Sequence, residues 1–298
     1  MAYLLQQLVL SVPLAAFYAA LAFGYAIAFG VTKRADLAYG ALFAFSGQIY
    51  VLFVATGWNE LRLILPASLA FGAVVSLAYA AGAGIVIGRS IMAPLVKVSP
   101  NAVIVAALGL LIVLMETARL ASGSRDLWLP PILSAPLTLA TITDSPVTIT
   151  PMQLVNTASF LLLIALGHLV LSRTRFGRAW RAVTEDPLAA GLCGVNGPLV
   201  FVAAYAVAAL IAAVTAILST TYYGNMDFGS GMMFGLKVLL IAAVGGYHDP
   251  WKSAVGAALL GVTETLWGAY APFLWRDLAV FSGLVLVLVM SRRERGIP

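Results

Sequence analysis

Four ionisable residues stand inside otherwise apolar runs of this sequence: Glu116, Arg119, Lys237 and Glu264. A lone charge is costly in hydrocarbon, so each is expected to face protein or water, often in a pair. Glu116 and Arg119 are three positions apart and share one helical face. They either neutralise each other as a packing pair or meet the two charged ends of a zwitterionic solute. Lys237 opens a short run and is expected to snorkel outward. Glu264 lies deeper, and an unpaired carboxylate there would tend to keep its proton. It serves either a solute path or a buried helix-to-helix hydrogen bond.

Covalent chemistry has no comparable footing. The sequence contains no G-x-x-x-x-G-K-[ST] phosphate loop, no H-E-x-x-H and no G-x-S-x-G. His168 and His248 are far apart and have no cysteine or carboxylate constellation; His168 reads as a satisfied interface histidine near the end of the fifth run. The single Cys193 excludes a disulfide framework and a cysteine metal site. No catalytic residue, cofactor, metal or nucleic acid partner is expected, and nothing supports an enzyme.

The elements that must position these charges are membrane helices. The 298 residues are 62% hydrophobic and 10% charged, with a mean hydropathy of +0.99, which defines an all-α, polytopic integral membrane protein. Apolar runs cover 8–31, 41–57, 63–88, 102–121, 151–171, 198–222, 233–246, 254–271 and 278–291, giving about eight or nine transmembrane or partly re-entrant helices. The first run reads as a span, not a signal peptide. Runs 41–57 and 233–246 are short; the second ends sharply at Gly245–Gly246 and His248–Asp249–Pro250, as half of a broken helix or a re-entrant segment would. With nine crossings and the N-terminus outside, the inner side receives Lys33, Arg34, Arg89, Lys97, Arg173, Arg175, Arg178, Arg181, Lys252, Arg292, Arg293 and Arg295. The outer side receives Arg62, Arg125 and Arg276. This bias places the C-terminus in the cytoplasm. Glycines crowd the runs (Gly24, Gly30, Gly40, Gly47, Gly82, Gly84, Gly88, Gly256, Gly261), and pairs such as Gly84 and Gly88 let helices approach closely.

Residues 172–197 form the most polar stretch. Phe176, Ala179, Trp180 and Val183 recur at helical spacing opposite arginines, which predicts a short amphipathic helix. Asp186–Pro187 reads as an N-cap and first position of a second short helix, closed by Gly194 and Asn196. An interfacial anchor on anionic lipid is one reading. The small Ala189, Ala190 and Gly191 fit better into a groove on another protein. Residues 122–150 are an external, proline-rich irregular loop.

The strings "SRDLWLP", "RFGRAWRAVTEDPLAAGLCGVN" and "AVGGYHDPWKSAVGAALLGVTETL" stand in the order and spacing of the permease subunits of branched-chain amino acid ABC importers. The resemblance runs nearly end to end, from "YAALAFGYAIAFG" to the last run. It implies that 172–197 is a cytoplasmic coupling loop in a single 1–298 permease domain, with Arg178, Arg181, Glu185, Asp186, Ala189, Ala190 and Gly191 facing an ATPase subunit. It implies a homologous or identical second permease, two ATP-binding subunits, an external solute-binding protein and the inner membrane of a prokaryote. The chain departs from the family at "ADLAYG", where Asp36 replaces an asparagine and Tyr39 a histidine, and at "GGYHDPWKS". Both departures lie where a transport path would be shaped, so Asp36 and Tyr39 join Glu116, Arg119, Lys237 and Glu264 as path or gate candidates. Branched-chain or other small amino acids are the implied solutes. Urea, short amides, small carboxylates, and a stand-alone transporter or channel coupled through Glu264 or Glu116 are the alternatives, although no inverted repeat is visible.

Overall fold

Residues 14–31 are apolar or small at every helical position, so a helix built from them has no face to offer water. In the computed structural model, which describes residues 2–96, 98–142, 145–245 and 249–292, this helix is enclosed by others along most of its length. It is α1 (Ala2–Thr32). There follow α2 (Ala38–Asn59), α3 (Leu65–Val86), α4 (Ala93–Val96), α5 (Pro100–Ala121), α6 (Pro151–Arg173), α7 (Arg175–Glu185), α8 (Pro187–Leu192), α9 (Gly197–Tyr223), α10 (Ser230–Gly245), α11 (Pro250–Tyr270) and α12 (Arg276–Arg292). α1 packs chiefly on α11 and α9, and α2 is wedged between α3, α9 and α10. α3, α5 and α6 bury one stripe each and expose the rest. Among the described residues, six helical stretches are long and apolar enough to cross a membrane, and Ser230–Ala242 is a shorter apolar one.

Four expectations change. The run at 41–57 is not short: Ala38, Tyr39 and Gly40 extend it backwards, and α2 has 22 residues. The third run does not end near Gly88, because a π-helical segment, Ile87–Met92, carries it on into α4 and takes Arg89 with it. Residues 122–150 are not wholly irregular. The alternating Leu137–Ile142 (β1) pairs antiparallel with Ser145–Ile149 (β2), with a register break between Thr138 and Ala140. Gln6 of α1 completes this hairpin: its amide donates to the Thr148 carbonyl at 3.0 Å and accepts from the Thr148 N–H at 2.8 Å. Asn196 does not close α8. It caps α9 by accepting from Leu199 N–H, while Gly194 alone takes the left-handed conformation, with φ 82°. Lys97, His248, Arg293 and Arg295, used above for loop charge and for the end of the short run, lie outside the described residues.

Small residues set the helix separations. An added Cβ at Gly84 would lie 2.6 Å from the Cβ of Ala209, and one at Gly88 would lie 2.9 Å from the Cβ of Tyr205, so this pair seats α3 and its π-helical extension on α9. At Gly40 an added Cβ would run into the Gly235 backbone, so α2 and α10 touch main chain to main chain. Gly82 has nothing within 4 Å of its Cβ position. Gly40→Ala should therefore lower the thermal unfolding midpoint in detergent, at a cost of about 1–3 kcal/mol from overpacking, whereas Gly82→Ala should leave it unchanged or raise it slightly. Equal effects would contradict the α2–α10 contact.

Candidate functional site

Five elements converge on one charged cavity of about 520 Å³. α1 supplies Leu14, Phe17 and Tyr18, and the end of α9 with the turn after it supplies Tyr223 and Asp227. α10 supplies Met233, Phe234 and Lys237, α11 supplies Glu264, and the first turn of α12 supplies Arg276 and Asp277. The inner layer is Lys237 and Glu264, whose side chains are 6% and 3% exposed. Lys237 Nζ donates to Glu264 Oε1 at 3.0 Å and to Asp277 Oδ1 at 3.1 Å, and lies 3.5 Å from the Tyr18 hydroxyl. Tyr18 in turn donates to Glu264 Oε2 at 2.9 Å. The outer layer is Arg276 and Asp277, both partly exposed; Arg276 Nε is 3.5 Å from Glu264 Oε1 and 3.6 Å from Asp277 Oδ1.

Two sequence expectations are corrected at this point. Lys237 does not snorkel outward: two carboxylates from α11 and α12 hold it inside. Glu264 is not an unpaired carboxylate, because a lysine, an arginine and a tyrosine surround it. Arg276 and Asp277 escaped the sequence reading because they stand just before the last apolar run and count there as loop charge. Tyr18 escaped because a lone tyrosine in an apolar run carries no signal of a partner.

The other path candidates lie elsewhere. Glu116 and Arg119 form the neutral pair, with Arg119 Nε donating to Glu116 Oε2 at 2.9 Å and its Nη1 to Ser124 Oγ at 2.9 Å. Both are half exposed on α5, and they do not line the cavity. Asp36 and Tyr39 are fully buried at the opposite end of α1. Asp36 Oδ1 accepts from Ala38 N–H at 2.9 Å, starting α2, and Oδ2 accepts from the Tyr205 hydroxyl. Burial pushes this carboxyl up to about 7, against the hydrogen bond from Ala38. A neutral Asp36 has nearly the shape of an asparagine. The Tyr39 hydroxyl packs over Gly24 without a hydrogen-bond partner among the described residues.

At that same end the α7–α8 hairpin is clamped to the bundle. Trp180 Nε1 donates to the Ile27 carbonyl at 3.1 Å, and its ring fills the space left open by Gly30. Arg181 donates to the Leu171 carbonyl at 3.1 Å, closing the end of α6. Thr174 caps α7, and Asp186 caps α8 by accepting from Leu188 and Ala189 N–H. The two predicted short helices are present, but their outer face differs from the expected one. Ala190 is buried, 4% exposed, whereas Leu188 and Leu192 are 80% and 91% exposed, one turn apart. Arg178, Arg181, Glu185, Asp186, Ala189 and Gly191 are exposed as expected. The eye passes over Leu188 and Leu192 because leucines on a helix normally signal core.

Two outcomes test these placements. Lys237→Met leaves buried carboxylates undercompensated and should cost about 3 kcal/mol, part of which Glu264→Gln restores in the double variant. Unfolding midpoints that simply add would contradict the coupling. Asp36 has a folded-state pKa above its unfolded value, so its contribution is full below the unfolded pKa of about 4 and is lost as pH rises from there through about 7. Asp36→Asn should therefore raise the midpoint relative to the parent at about pH 8, and the difference should shrink steadily towards about pH 4. A pH-independent difference would contradict a buried neutral carboxyl.

The chain matches the family described as branched-chain amino acid transport system / permease component over residues 8–290. It is 29% identical over 297 residues to the high-affinity branched-chain amino acid transport system permease protein LivH of Escherichia coli K12, covering 97% of this chain and 94% of that one. It is 29% identical over 300 residues to the corresponding protein BraD of Pseudomonas aeruginosa, covering 98% and 95%. A probable ABC transporter permease, YphD of Escherichia coli K12, is 31% identical over 137 residues, 46% of this chain and 38% of its own length. No solved structure matches. With membrane-length helices, a charged cavity inside them and a family match along nearly the whole sequence, the chain belongs to the permease components of branched-chain amino acid transport systems.

Proposed function

We propose that this chain is the membrane-spanning subunit of an ATP-driven importer for branched-chain or related small amino acids. It acts as one 1–298 unit of nine crossings in the prokaryotic inner membrane, N-terminus outside and C-terminus in the cytoplasm. α10 is the seventh crossing: its 16 residues span only ~24 Å, and flanking helices cover it. The 122–150 segment with its hairpin lies outside and receives a solute-binding protein. A second permease, homologous or identical, completes the path. Two ATP-binding subunits supply the energy; the relatives named as transport-system permeases support this assembly.

The observation that carries coupling is the outer face of the α7–α8 hairpin. Leu188 and Leu192 project from a short helix ringed by Arg178, Glu185, Asp186, Ala189 and Gly191. An apolar ridge with a polar rim suits a groove on a partner protein. Ala190 supports this ridge from beneath, and the exposed Arg181 lies on α7 beside Arg178. Burying two leucines contributes about 3 kcal/mol, so Leu188→Asp with Leu192→Asp should weaken binding of the ATPase subunit by roughly a hundredfold. Solute uptake should fall with it, while expression and membrane insertion stay normal. Normal ATPase copurification and uptake by a well-inserted double variant would refute docking through this face.

A further inference from the structure

The charge of the cavity is layered, and the layers have different work. Lys237 and Glu264 are buried, and each reaches one member of the outer pair: Lys237 holds Asp277, and Glu264 holds Arg276. The outer pair is adjacent in sequence at the first turn of α12, with its side chains 30% and 38% exposed. One fixed guanidinium and one fixed carboxylate thus stand side by side at the cavity. The same cavity is also lined by Leu14, Phe17, Met233 and Phe234, which give it an apolar surface.

We propose that Arg276 and Asp277 form the recognition site for a zwitterionic amino acid inside this permease, with the solute carboxylate on Arg276, its ammonium on Asp277 and its aliphatic side chain against Phe17, Met233 and Phe234. This rests on the amino acid importer reading and deepens it. The chemistry selects among the solutes that the family resemblance leaves open. Arg276 and Asp277 already pair with Glu264, Lys237 and each other, and their exposed sides still face the cavity; urea or a short amide offers those sides neither an anion nor a cation. A simple carboxylate satisfies Arg276 but stands beside Asp277, with the carboxylates of Glu264 and Asp227 also on the lining. A zwitterion satisfies both, through charge-assisted hydrogen bonds. Lys237 and Glu264 act as positioning residues: they are already committed to each other and to the outer pair, so the solute need not desolvate them.

The test uses the complete transporter, the permease with its ATPase subunits in detergent, and measures equilibrium binding without the binding protein, which would otherwise impose its own selectivity. The probes are L-leucine, L-leucinamide, which lacks the carboxylate, and 4-methylpentanoate, which lacks the ammonium. The parent should prefer leucine to both analogues. Arg276→Gln and Asp277→Asn should each weaken leucine binding by at least about tenfold. They should also shift selectivity in opposite senses, Arg276→Gln towards leucinamide and Asp277→Asn towards 4-methylpentanoate, which loss of folding alone would not produce. Met233→Trp, which alters no charge, should exclude leucine and still admit alanine. Leucine binding within twofold of the parent in both charge variants, or equal weakening for all three probes, would overturn the site. Failure of the importer reading looks different: the parent with its binding protein and ATPase subunits in vesicles would show no ATP-dependent leucine uptake.

Discussion

The ammonium of Lys237 has almost no access to water, and that constraint governs what surrounds it. A buried cation is tolerated only with opposite charge and hydrogen-bond acceptors in place, and removal of a partner is far more costly than the pair is beneficial. Here the acceptors come from α11 and the start of α12, with a tyrosine of α1 behind them. The arrangement therefore fixes four helices relative to one another at one depth. It also explains how a helix as short as α10 can sit among longer ones, since its polar side chain and its backbone are covered by protein rather than lipid.

Elsewhere the helices are held by closeness. Lipid provides no hydrophobic force between helices, so association depends on backbone approach and on hydrogen bonds that cross between segments. The glycines of α2, α3 and α10 provide the approach. Among the bonds that join distant parts of the chain are Ser76 Oγ to the Ser46 carbonyl at 2.7 Å, Asn156 Nδ2 to the Leu218 carbonyl at 3.1 Å, and Trp180 Nε1 to the Ile27 carbonyl. α3, α5 and α6 show large apolar side chains outwards, among them Val74, Val105, Ile112 and Leu162, as helices at the edge of a membrane bundle do.

What the sequence made legible follows from the range of its signals. Helix content, the two short helices of the 172–197 segment and the cap at Asp186 rest on local periodicity and local hydrogen bonds, and they are present. The intramembrane charges were legible as costly, but not their partners. Tyr18, Glu264 and Asp277 come together from far-separated positions, and no spacing rule connects them. Glu116 and Arg119 show the converse: their pairing is local and was visible, yet proximity in sequence says nothing of proximity to the cavity. Ala190 was misplaced because six residues of helix are too few for periodicity to separate an inner from an outer face. The β-hairpin was missed because prolines masked a short alternating pattern.

α1 is anchored at three heights. Gln6 is stitched to the hairpin strand β2, Tyr18 to the cavity carboxylate, and the Ile27 carbonyl to the tryptophan of α7. A helix lengthens little under load, so the stretch from Tyr18 to Ile27, roughly 13 Å, behaves as a connecting rod between the charged cavity and the α7–α8 pair. Pro13 lies above that stretch, where its ring removes a main-chain hydrogen bond and weakens the helix locally. The single strut is thus jointed on one side only: the end tied to β2 can swing at Pro13, whereas the charged cavity and the α7–α8 pair are obliged to move as one piece.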